Sequence, residues 1–219
     1  MRQAVHEFID GSSTGLSAGK IVCVGRNYAA HAKELNNPIP DEPVLFMKPS
    51  TALLQFEEGF AVPEGVHYEA ELALLIGEES SAVASTSMES LIAGVGLALD
   101  LTKRDLQSEL KSKGLPWERA KAFDGACPMT RFVPLSAFDV EVNQLEFRFR
   151  INDVERQFGK LSMMLNPIPE LLAAITAQFT LLPGDVVLTG TPEGVGQLHS
   201  GDALELDLHG KANFRAQLA

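Results

Sequence analysis

The chain has 219 residues, of which 45% are hydrophobic and 21% are charged, a composition typical of a compact globular protein rather than a disordered or fibrous one. Its 18 Lys and Arg residues stand against 29 Asp and Glu residues, which gives a formal net charge of −11. Because so acidic a chain offers no overall positive field to a polyanion, we do not expect nucleic acid as a partner.

The sequence predicts neither a targeting segment nor a disulfide bond. No stretch approaches the ~20 consecutive apolar residues that a membrane-spanning helix needs, and the N-terminal residues lack the basic-then-apolar order of a secretory signal. We therefore expect a cytoplasmic protein with no membrane partner. Cys23 and Cys127 lie far apart and outside any CxxC motif, so we expect buried free thiols.

The first half of the chain predicts short strands and helices in alternation. Residues 1–19, rich in Gly and Ser, are expected to form a weakly structured lead-in. Thr86 and Glu89 have the spacing of a helix capping box. The predicted elements are a buried strand over 21–24, a short helix over 27–35, a Pro-rich loop to 43, and strands over 44–48, 67–76 and 94–99.

The second half predicts mostly strands. Residues 102–113 have helical polarity, and Asn152-Asp153 follows an alternating strand as a hairpin turn would. A helix capped by Asn166-Pro167, the strand VVLTG and two closing strands over 203–208 and 211–218 complete the chain. Since no repeat or composition break marks a boundary, we predict a single α+β domain over residues 1–219.

Three acidic residues are the first candidates for a functional site. Glu69 and Glu71 project from one face of the predicted strand 67–76, and Asp100 ends the apolar run GVGLALD. Clustered carboxylates repel one another, so three of them together indicate a cation between them. Oxygen ligands favour Mg²⁺ or Mn²⁺ over zinc. In the alternative interpretation, Glu69 and Glu71 only face solvent from an edge strand.

His31 and Glu34 are the second candidate. They are three residues apart on a predicted helix, so they share a face and the carboxylate can orient the imidazole. Such a pair could activate water, although a solvated polar face on a short surface helix would have the same pattern.

Further polar residues could contact an anionic substrate. Lys121 and Lys48 adjoin apolar stretches that could carry an ammonium into a cleft, although a surface position is favoured for Lys48. Arg104 and Gln107 share a helix face just after the third acid, where a solvated face is the alternative. The loop TGTPEGVG could offer backbone N–H groups to a carboxylate, but it lacks the motifs of a nucleotide site.

Six blocks occur in a fixed order along the chain, namely GRNYAAHAKEL, PVLFMKPSTAL, HYEAELALLIG, ALDLTKRDLQ, KGLPWERAKAFDGACP and GDVVLTGTPEGVG. Together they resemble the fumarylacetoacetate hydrolase family over residues 20–200. They are most similar to its short, single-domain branch of acylpyruvases and oxaloacetate decarboxylases or tautomerases. The resemblance implies a mixed β-roll of stacked sheets, a homodimer, and Mg²⁺ or Mn²⁺ in each subunit.

The resemblance also implies roles for individual residues. It assigns metal ligation to Glu69, Glu71 and Asp100, and a dyad of His31 and Glu34 to a lid over residues 27–43. The other positions it assigns are an active-site lysine, Lys121, and substrate contacts at Arg104, Gln107, Thr191 and Lys48.

The implied activity is metal-dependent hydrolysis of acylpyruvates such as acetylpyruvate or fumarylpyruvate, in which a carbon–carbon bond breaks and pyruvate leaves. The same residues serve oxaloacetate decarboxylases or tautomerases and 2-hydroxy-dienoate isomerases, so these activities stay open. A non-catalytic protein that binds a metal and a small acid is an alternative of another class.

Overall fold

The computed structural model describes residues 5–81 and 88–219. The capping box predicted for Thr86 and Glu89 lies outside the described residues and side chains. Residues 5–17 form an antiparallel pair of strands, β1 (Val5–Glu7) and β2 (Ser13–Ser17), so the expectation of a weakly structured lead-in is wrong for them. Phe8 and Leu16 pack against the core of the large sheet, and this contact outweighs the Gly and Ser content.

The other predicted elements are present in the predicted order with shifts at their ends, but the predicted strand 67–76 is divided into two strands, and several short strands and one short helix were not predicted. The strands are β3 (Ile21–Gly25), β4 (Val44–Lys48), β5 (Leu53–Gln55), β6 (Val66–Tyr68), β7 (Ala70–Ile76), β8 (Ile92–Leu99), β9 (Thr102–Lys103), β10 (Cys127–Met129), β11 (Val133–Pro134), β12 (Glu146–Ile151), β13 (Val154–Lys160), β14 (Val186–Leu188), β15 (Gly196–Gln197), β16 (Ala203–Leu208) and β17 (Ala212–Gln217). The helices are α1 (Ala29–Glu34), α2 (Arg104–Ser112), α3 (Glu118–Lys121) and α4 (Ile168–Thr176). Among the described helices, none has the length and apolar character needed to cross a membrane.

The strands form stacked mixed sheets. The largest has the order β4-β3-β14-β7-β8-β10-β5, with β11 also paired to β8. In it, β3 runs parallel to β14 and β5 parallel to β10, whereas the other pairs are antiparallel. A second sheet has the order β13-β12-β16-β17, and a third joins β15, β6 and β9. This arrangement, with few short helices, confirms the predicted α+β class and its mixed β-roll of stacked sheets.

Strand β7 lies inside the large sheet and separates two apolar clusters. Leu72 and Leu74 point into the larger cluster, which α4 and the inner face of β12 also fill. Ala73 and Leu75 point into the smaller cluster on the opposite face. Because both faces are covered, the whole strand is buried, and this explains its nearly continuous apolar sequence.

Two predicted turns behave differently. Asn152 and Asp153 have φ values of 52° and 64°, so they form the expected left-handed hairpin turn between β12 and β13. Asn166, by contrast, does not cap α4, whose N-cap residue is Pro167 without a side-chain cap bond. The backbone N–H of Asn166 instead donates to Asn27 Oδ1 at 2.9 Å. This bond ties the start of α4 to the segment that enters α1.

Candidate metal centre and active site

Glu69, Glu71 and Asp100 converge where β7 begins and β8 ends. One oxygen of each carboxylate lies within 4.8 Å of the others, and the three residues are only 5%, 2% and 1% exposed. The backbone N–H of Asp100 donates to the carbonyl of Glu69 at 2.8 Å, which holds the two strand ends together. Since β7 lies between β14 and β8, the interpretation of Glu69 and Glu71 as edge-strand surface acids is wrong.

The three carboxylates differ in their electrostatic surroundings. Burial, followed by repulsion from Asp100 and Glu69, raises the pKa of Glu71 well above its ordinary value. Burial also opposes ionisation of Glu69, but Lys121 and Arg104 outweigh it and hold the Glu69 pKa below its usual range. Without a cation beside it, Glu71 is therefore the acid least able to carry its charge.

Lysine and arginine side chains neutralise part of this cluster. Lys121 Nζ lies 2.7 Å from Glu69 Oε2 and 2.6 Å from Asp100 Oδ2, and Arg104 pairs with Glu69 Oε1. Burial would lower the pKa of Lys121, but Asp100 and Glu69 raise it, so the ammonium stays charged. Lys121 thus lies against the carboxylates, as its predicted active-site role requires.

Lys48 has a position that the sequence does not reveal. It is fully buried at the end of β4, which rules out the favoured surface interpretation. Its Nζ lies 2.8 Å from Asp100 Oδ1 and donates to the carbonyls of Ala126, at 3.0 Å, and Lys121. Lys48 is not among the residues that line the cavity and lies behind Asp100, where it can support this carboxylate, and its substrate contact stays a prediction.

The donor set suits a hard divalent cation. Three buried carboxylates offer oxygen atoms alone, the ligands that Mg²⁺ and Mn²⁺ prefer. The contact between Lys48 and Asp100 Oδ1 lacks hydrogen-bond geometry, so this buried oxygen keeps an unused acceptor site. Glu71, whose charge is least compensated, would gain most from a cation. Glu69, Glu71 and Asp100 are therefore the residues that could hold a metal ion.

The glycine-rich loop after β14 uses its N–H groups on the protein's own carboxylates. Gly190 donates to Glu71 Oε2 at 2.7 Å, and Gly194 donates to Glu34 Oε1 at 3.0 Å. Gly190 has a φ of 100°, and a Cβ there would lie 2.7 Å from the Cβ of Asn27, so a side chain cannot be accommodated. The predicted N–H donors exist, but these two are engaged within the protein.

Gln157, on β13, joins this loop to the start of β7, beside Glu69 and Glu71. Its Oε1 accepts from the backbone N–H of Ala70 at 2.9 Å. Its Nε2 donates to Thr191 Oγ1 at 2.8 Å and to the carbonyl of Pro192 at 2.9 Å. Thr191 Oγ1 donates in turn to the carbonyl of Ala70 at 2.8 Å. The Thr191 hydroxyl therefore donates its only proton to the carbonyl of Ala70, so it is available to a substrate only as a hydrogen-bond acceptor.

The predicted dyad forms on α1. His31 Nδ1 lies 3.4 Å from Glu34 Oε2, a long contact for a hydrogen bond. His31 is buried and Glu34 is anchored by the glycine-rich loop, so the alternative of a fully solvated helix face is wrong. With Nδ1 directed at a carboxylate, Nε2 is the ring nitrogen left for proton transfer.

The predicted residues meet at one cavity of about 120 Å³. On its wall, Arg104 donates to Gln107 Oε1 at 2.8 Å, so the first turn of α2 presents the two side chains together. Eight of the ten predicted site residues line this cavity: His31, Glu69, Glu71, Asp100, Arg104, Gln107, Lys121 and Thr191. The other two, Glu34 and Lys48, contact lining residues from behind.

Comparison with known proteins decides the family. A family model described as fumarylacetoacetate (FAA) hydrolase, C-terminal, matches residues 20–219. The chain belongs to the fumarylacetoacetate hydrolase family. Within this family it is 44% identical over 208 residues to a protein named oxaloacetate tautomerase YcgM from Escherichia coli (strain K12). That alignment covers 94% of this chain and 95% of its relative.

Solved structures of the fumarylacetoacetate hydrolase family have the same fold. A family protein from Yersinia pestis CO92 is 42% identical with a TM-score of 0.93, covering 99% of this chain and 100% of its own. A fumarylpyruvate hydrolase from Pseudomonas aeruginosa, in complex with Mn²⁺ and pyruvate, is 30% identical with a TM-score of 0.91. That comparison covers 100% of this chain and 97% of the hydrolase. The family and fold predicted from the six sequence blocks are confirmed.

Two buried residues that support the site, Gln157 and Asn27, are not predicted from the sequence. Gln157 is a polar residue at an inward position of β13, a pattern that could have marked it as a buried hydrogen-bonding group. Asn27 is fully buried, and its side chain donates to the carbonyl of Thr189 at 2.8 Å and accepts from Asn166. No local pattern predicts the partners of Asn27, because Thr189 and Asn166 lie 162 and 139 residues away along the chain.

Proposed function

We propose that the protein is a metal-dependent oxaloacetate tautomerase, which interconverts the enol and keto forms of this 2-oxo acid. The observation that carries the proposal is a small cavity in which three buried carboxylates, suited to a divalent cation, adjoin a histidine that can move a proton. The relative YcgM, at 44% identity, is named for this activity.

The residues beside the carboxylates suit the binding of a 2-oxo acid. Arg104 and Gln107 offer a guanidinium and an amide to a substrate carboxylate, and Lys121 keeps a positive charge at the buried end of the cavity. A divalent cation held by Glu69, Glu71 and Asp100 would supply Lewis-acid stabilisation of the charge that develops on the 2-oxo group.

Tautomerisation requires a proton to move between carbon C3 and the oxygen on C2. His31 suits this step because Glu34 faces Nδ1 and favours the tautomer with its proton on Nδ1, which leaves Nε2 free to accept a proton. In the keto-to-enol direction, Nε2 accepts the C3 proton as the C3–H bond breaks, and the protonated ring then gives this proton to the enolate oxygen on C2. In the enol-to-keto direction, His31 takes the proton from this oxygen and delivers it to C3. Lys121, whose ammonium lies against Glu69 and Asp100, would help to stabilise the negative charge of the enolate that forms between the two proton transfers.

The segment 27–43 would act as a lid. It contains His31 and Glu34. Its first residue, Asn27, is anchored to Thr189 and Asn166, and two further contacts join the helix and the following loop to the rest of the site. Glu34 accepts from Gly194, and Asn37 Oδ1 accepts from Lys111 Nζ at 2.9 Å. A closed lid excludes water, which would favour a proton shift over hydrolysis.

Hydrolysis of acylpyruvates is the second candidate, and the same dyad supports it. His31, oriented by Glu34, could deprotonate a water that attacks the distal carbonyl of acetylpyruvate or fumarylpyruvate. The similar solved structure from Pseudomonas aeruginosa is a fumarylpyruvate hydrolase. Oxaloacetate decarboxylation would use the same carboxylates without an attacking water. The choice between Mg²⁺ and Mn²⁺ and the homodimer stay predictions.

The test is a parallel assay of chelator-stripped protein on enol oxaloacetate, acetylpyruvate and fumarylpyruvate, with and without Mg²⁺ or Mn²⁺. Loss of enol absorbance and release of pyruvate are followed separately, and metal without protein is the control for uncatalysed tautomerisation. We expect metal-dependent loss of the oxaloacetate enol without pyruvate release. Pyruvate release from an acylpyruvate, with no effect on oxaloacetate, would instead establish acylpyruvate hydrolase activity. Inactivity on all three substrates would favour a non-catalytic protein that binds a metal and a small acid.

His31→Ala separates catalysis from binding. Loss of the proton carrier should lower the tautomerisation rate by about 10²–10⁴-fold, the usual contribution of general acid–base catalysis. Since His31 is not one of the three carboxylates, Mn²⁺ affinity measured by calorimetry should be unchanged. An unchanged rate would refute the role of His31.

A further inference from the structure

Two cations that line the cavity have no carboxylate partner. Arg26 follows β3 and is half-buried, and Lys111 lies exposed on the last turn of α2. The other lining cations, Arg104 and Lys121, pair with Glu69 and with Asp100 at the buried end. Within the described ranges 5–81 and 88–219, neither Arg26 nor Lys111 forms an ion pair with an acid.

Arg26 and Lys111 line the same cavity. Partial burial lowers the pKa of Lys111, and the charges of Arg26 and Arg104 lower it further. Lys111 Nζ donates to the neutral Asn37 Oδ1, which relieves none of this repulsion. Like charges gathered at a cavity wall without a counter-ion indicate that an anion binds between them.

The charges of the whole cavity support an anion with two negative charges. Four cationic side chains, those of Arg26, Arg104, Lys111 and Lys121, face the three carboxylates. A divalent cation at the carboxylates would raise the positive excess to three. A 2-oxo monocarboxylate would offset one of these charges, whereas a 2-oxo dicarboxylate would offset two.

The backbone at Arg26 is held in a costly conformation. Its φ of 59° lies in the left-handed region, which arginine rarely adopts. The next residue, Asn27, is fully buried and bonded to the carbonyls of Thr189 and Asn166, so the chain cannot relax on that side. A strained backbone beside a cavity is typical of a residue whose side chain is positioned for binding.

We infer that Arg26 and Lys111 form a second carboxylate subsite, which selects 2-oxo dicarboxylates over 2-oxo monocarboxylates. The inference rests on the proposed function, which places the 2-oxo acid end of the substrate at Glu69, Glu71 and Asp100. The distal carboxylate then lies at the outer part of the cavity, where the planar guanidinium of Arg26 can bind both of its oxygens. Lys111 adds a point charge at the rim.

The test uses two unreactive ligands that differ only in the distal group. Malate (2-hydroxybutanedioate) and 2-hydroxybutanoate share a carboxylate and a 2-hydroxyl group, but only malate has a second carboxylate. Their affinities for the Mn²⁺-loaded protein are measured by calorimetry. Arg26→Gln should weaken malate binding by about tenfold, the loss of a charge-assisted bidentate pair, and change 2-hydroxybutanoate binding by less than about twofold.

Three further variants control the experiment. Lys111→Gln should weaken malate binding by a smaller factor, about threefold, because its exposed charge is screened by salt. Arg26→Lys should recover part of the affinity. Lys113→Gln is the matched control, because Lys113 lies next to α2, pairs with Glu109 and does not line the cavity. This variant should bind both ligands as the wild type does.

Equal losses for both ligands, or a wild type with no preference for malate, would overturn the subsite. If Arg26→Gln fails to fold, Lys111→Gln carries the test, because its exposed position makes a folding defect unexpected. A malate preference that depends on Arg26, in a protein without tautomerase activity, would refute the reaction and leave the subsite standing. Active enzyme without that preference would refute the subsite alone.

Discussion

Replacing Gln157 with leucine removes one buried amide that links the metal-ligand strand to the glycine-rich loop. Gln157 is 1% exposed and is bonded to the N–H of Ala70, the hydroxyl of Thr191 and the carbonyl of Pro192. Leucine has a similar size, so the substitution removes the polar contacts without opening a large cavity. Ala70 lies between Glu69 and Glu71, so the loss of this bond also affects the two carboxylates that are proposed as metal ligands.

The expected destabilisation follows from the groups left without partners. In Gln157→Leu the N–H of Ala70 and the carbonyl of Pro192 lose their bonds, and each unsatisfied buried group costs about 1–3 kcal/mol. The added apolar surface offsets part of this, so we expect the free energy of unfolding to fall by about 3 kcal/mol. For a domain of this size that lowers Tm by about 6–12 °C. Mn²⁺ affinity should also fall, by about 10–100-fold, because the ligands lose their support.

The assay is a thermal melt of the metal-free protein, followed by a calorimetric Mn²⁺ titration below its Tm. Gln178→Leu is the control, since Gln178 is an exposed glutamine beyond α4, and it should change neither quantity. A Gln157→Leu variant that melts within about 1 °C of wild type, with unchanged Mn²⁺ affinity, would refute the argument that this amide supports the metal centre.

Three more substitutions or modifications follow from the site. In the metal-free protein, Glu71 keeps its proton to a higher pH than it does in the unfolded chain, so Glu71 lowers the stability of the fold as pH rises. Glu71→Gln should therefore raise the metal-free Tm more at pH 8 than at pH 5. The same substitution should abolish Mn²⁺ binding. Lys48→Met should lower the free energy of unfolding by about 3–5 kcal/mol in denaturant titrations, because Asp100 loses a buried counter-ion. Burial raises the pKa of Cys23 and Cys127, so both thiols should react with a thiol reagent only after denaturation. A Glu71→Gln shift in Tm that is the same at both pH values would contradict the first expectation. An unchanged denaturation midpoint for Lys48→Met would contradict the second, and thiols that react in the folded protein would contradict the third.

Much of the fold could be predicted because it follows local patterns. Alternation in β12, the Asn152-Asp153 turn and the apolar run of β8 all depend on neighbours within a few residues. The side-by-side position of Glu69 and Glu71 follows from the two-residue period of a strand, even though Glu69 lies just before β7 rather than within it. The approach of Asp100 was expected only as a possibility, and it is realised by the pairing of β7 with β8.

The support of the site could not be predicted, because it depends on contacts between distant segments. Lys48 has apolar neighbours in sequence, but only the packing of α3 over β4 shows that its ammonium reaches Asp100. Gln157 and Asn27 bind backbone groups from far along the chain, and such bonds leave no periodic pattern. The N-terminal strands were missed because Gly and Ser content concealed the few apolar anchors, among them Phe8.

The reaction was the hardest feature to rank. The acylpyruvate hydrolase interpretation and the oxaloacetate interpretation use the same three carboxylates, the same dyad and the same lysine. We expect their difference to lie in the proposed lid and in the outer wall of the cavity, where Arg26 and Lys111 lie. Neither residue was among the predicted site residues, because an arginine and a lysine on separate elements acquire meaning only when the fold brings them to one wall.

The most direct test of tautomerase activity follows the proton itself. Enol oxaloacetate is mixed in D₂O with the protein and Mn²⁺. Malate dehydrogenase and NADH are included to reduce the keto product to malate as it forms, so that the label at C3 is preserved for NMR. Proton delivery by His31 in a chiral site predicts rapid, metal-dependent formation of malate with deuterium in one of the two C3 positions. Label distributed equally between the two positions, at the rate given by Mn²⁺ without protein, would contradict the proposed function.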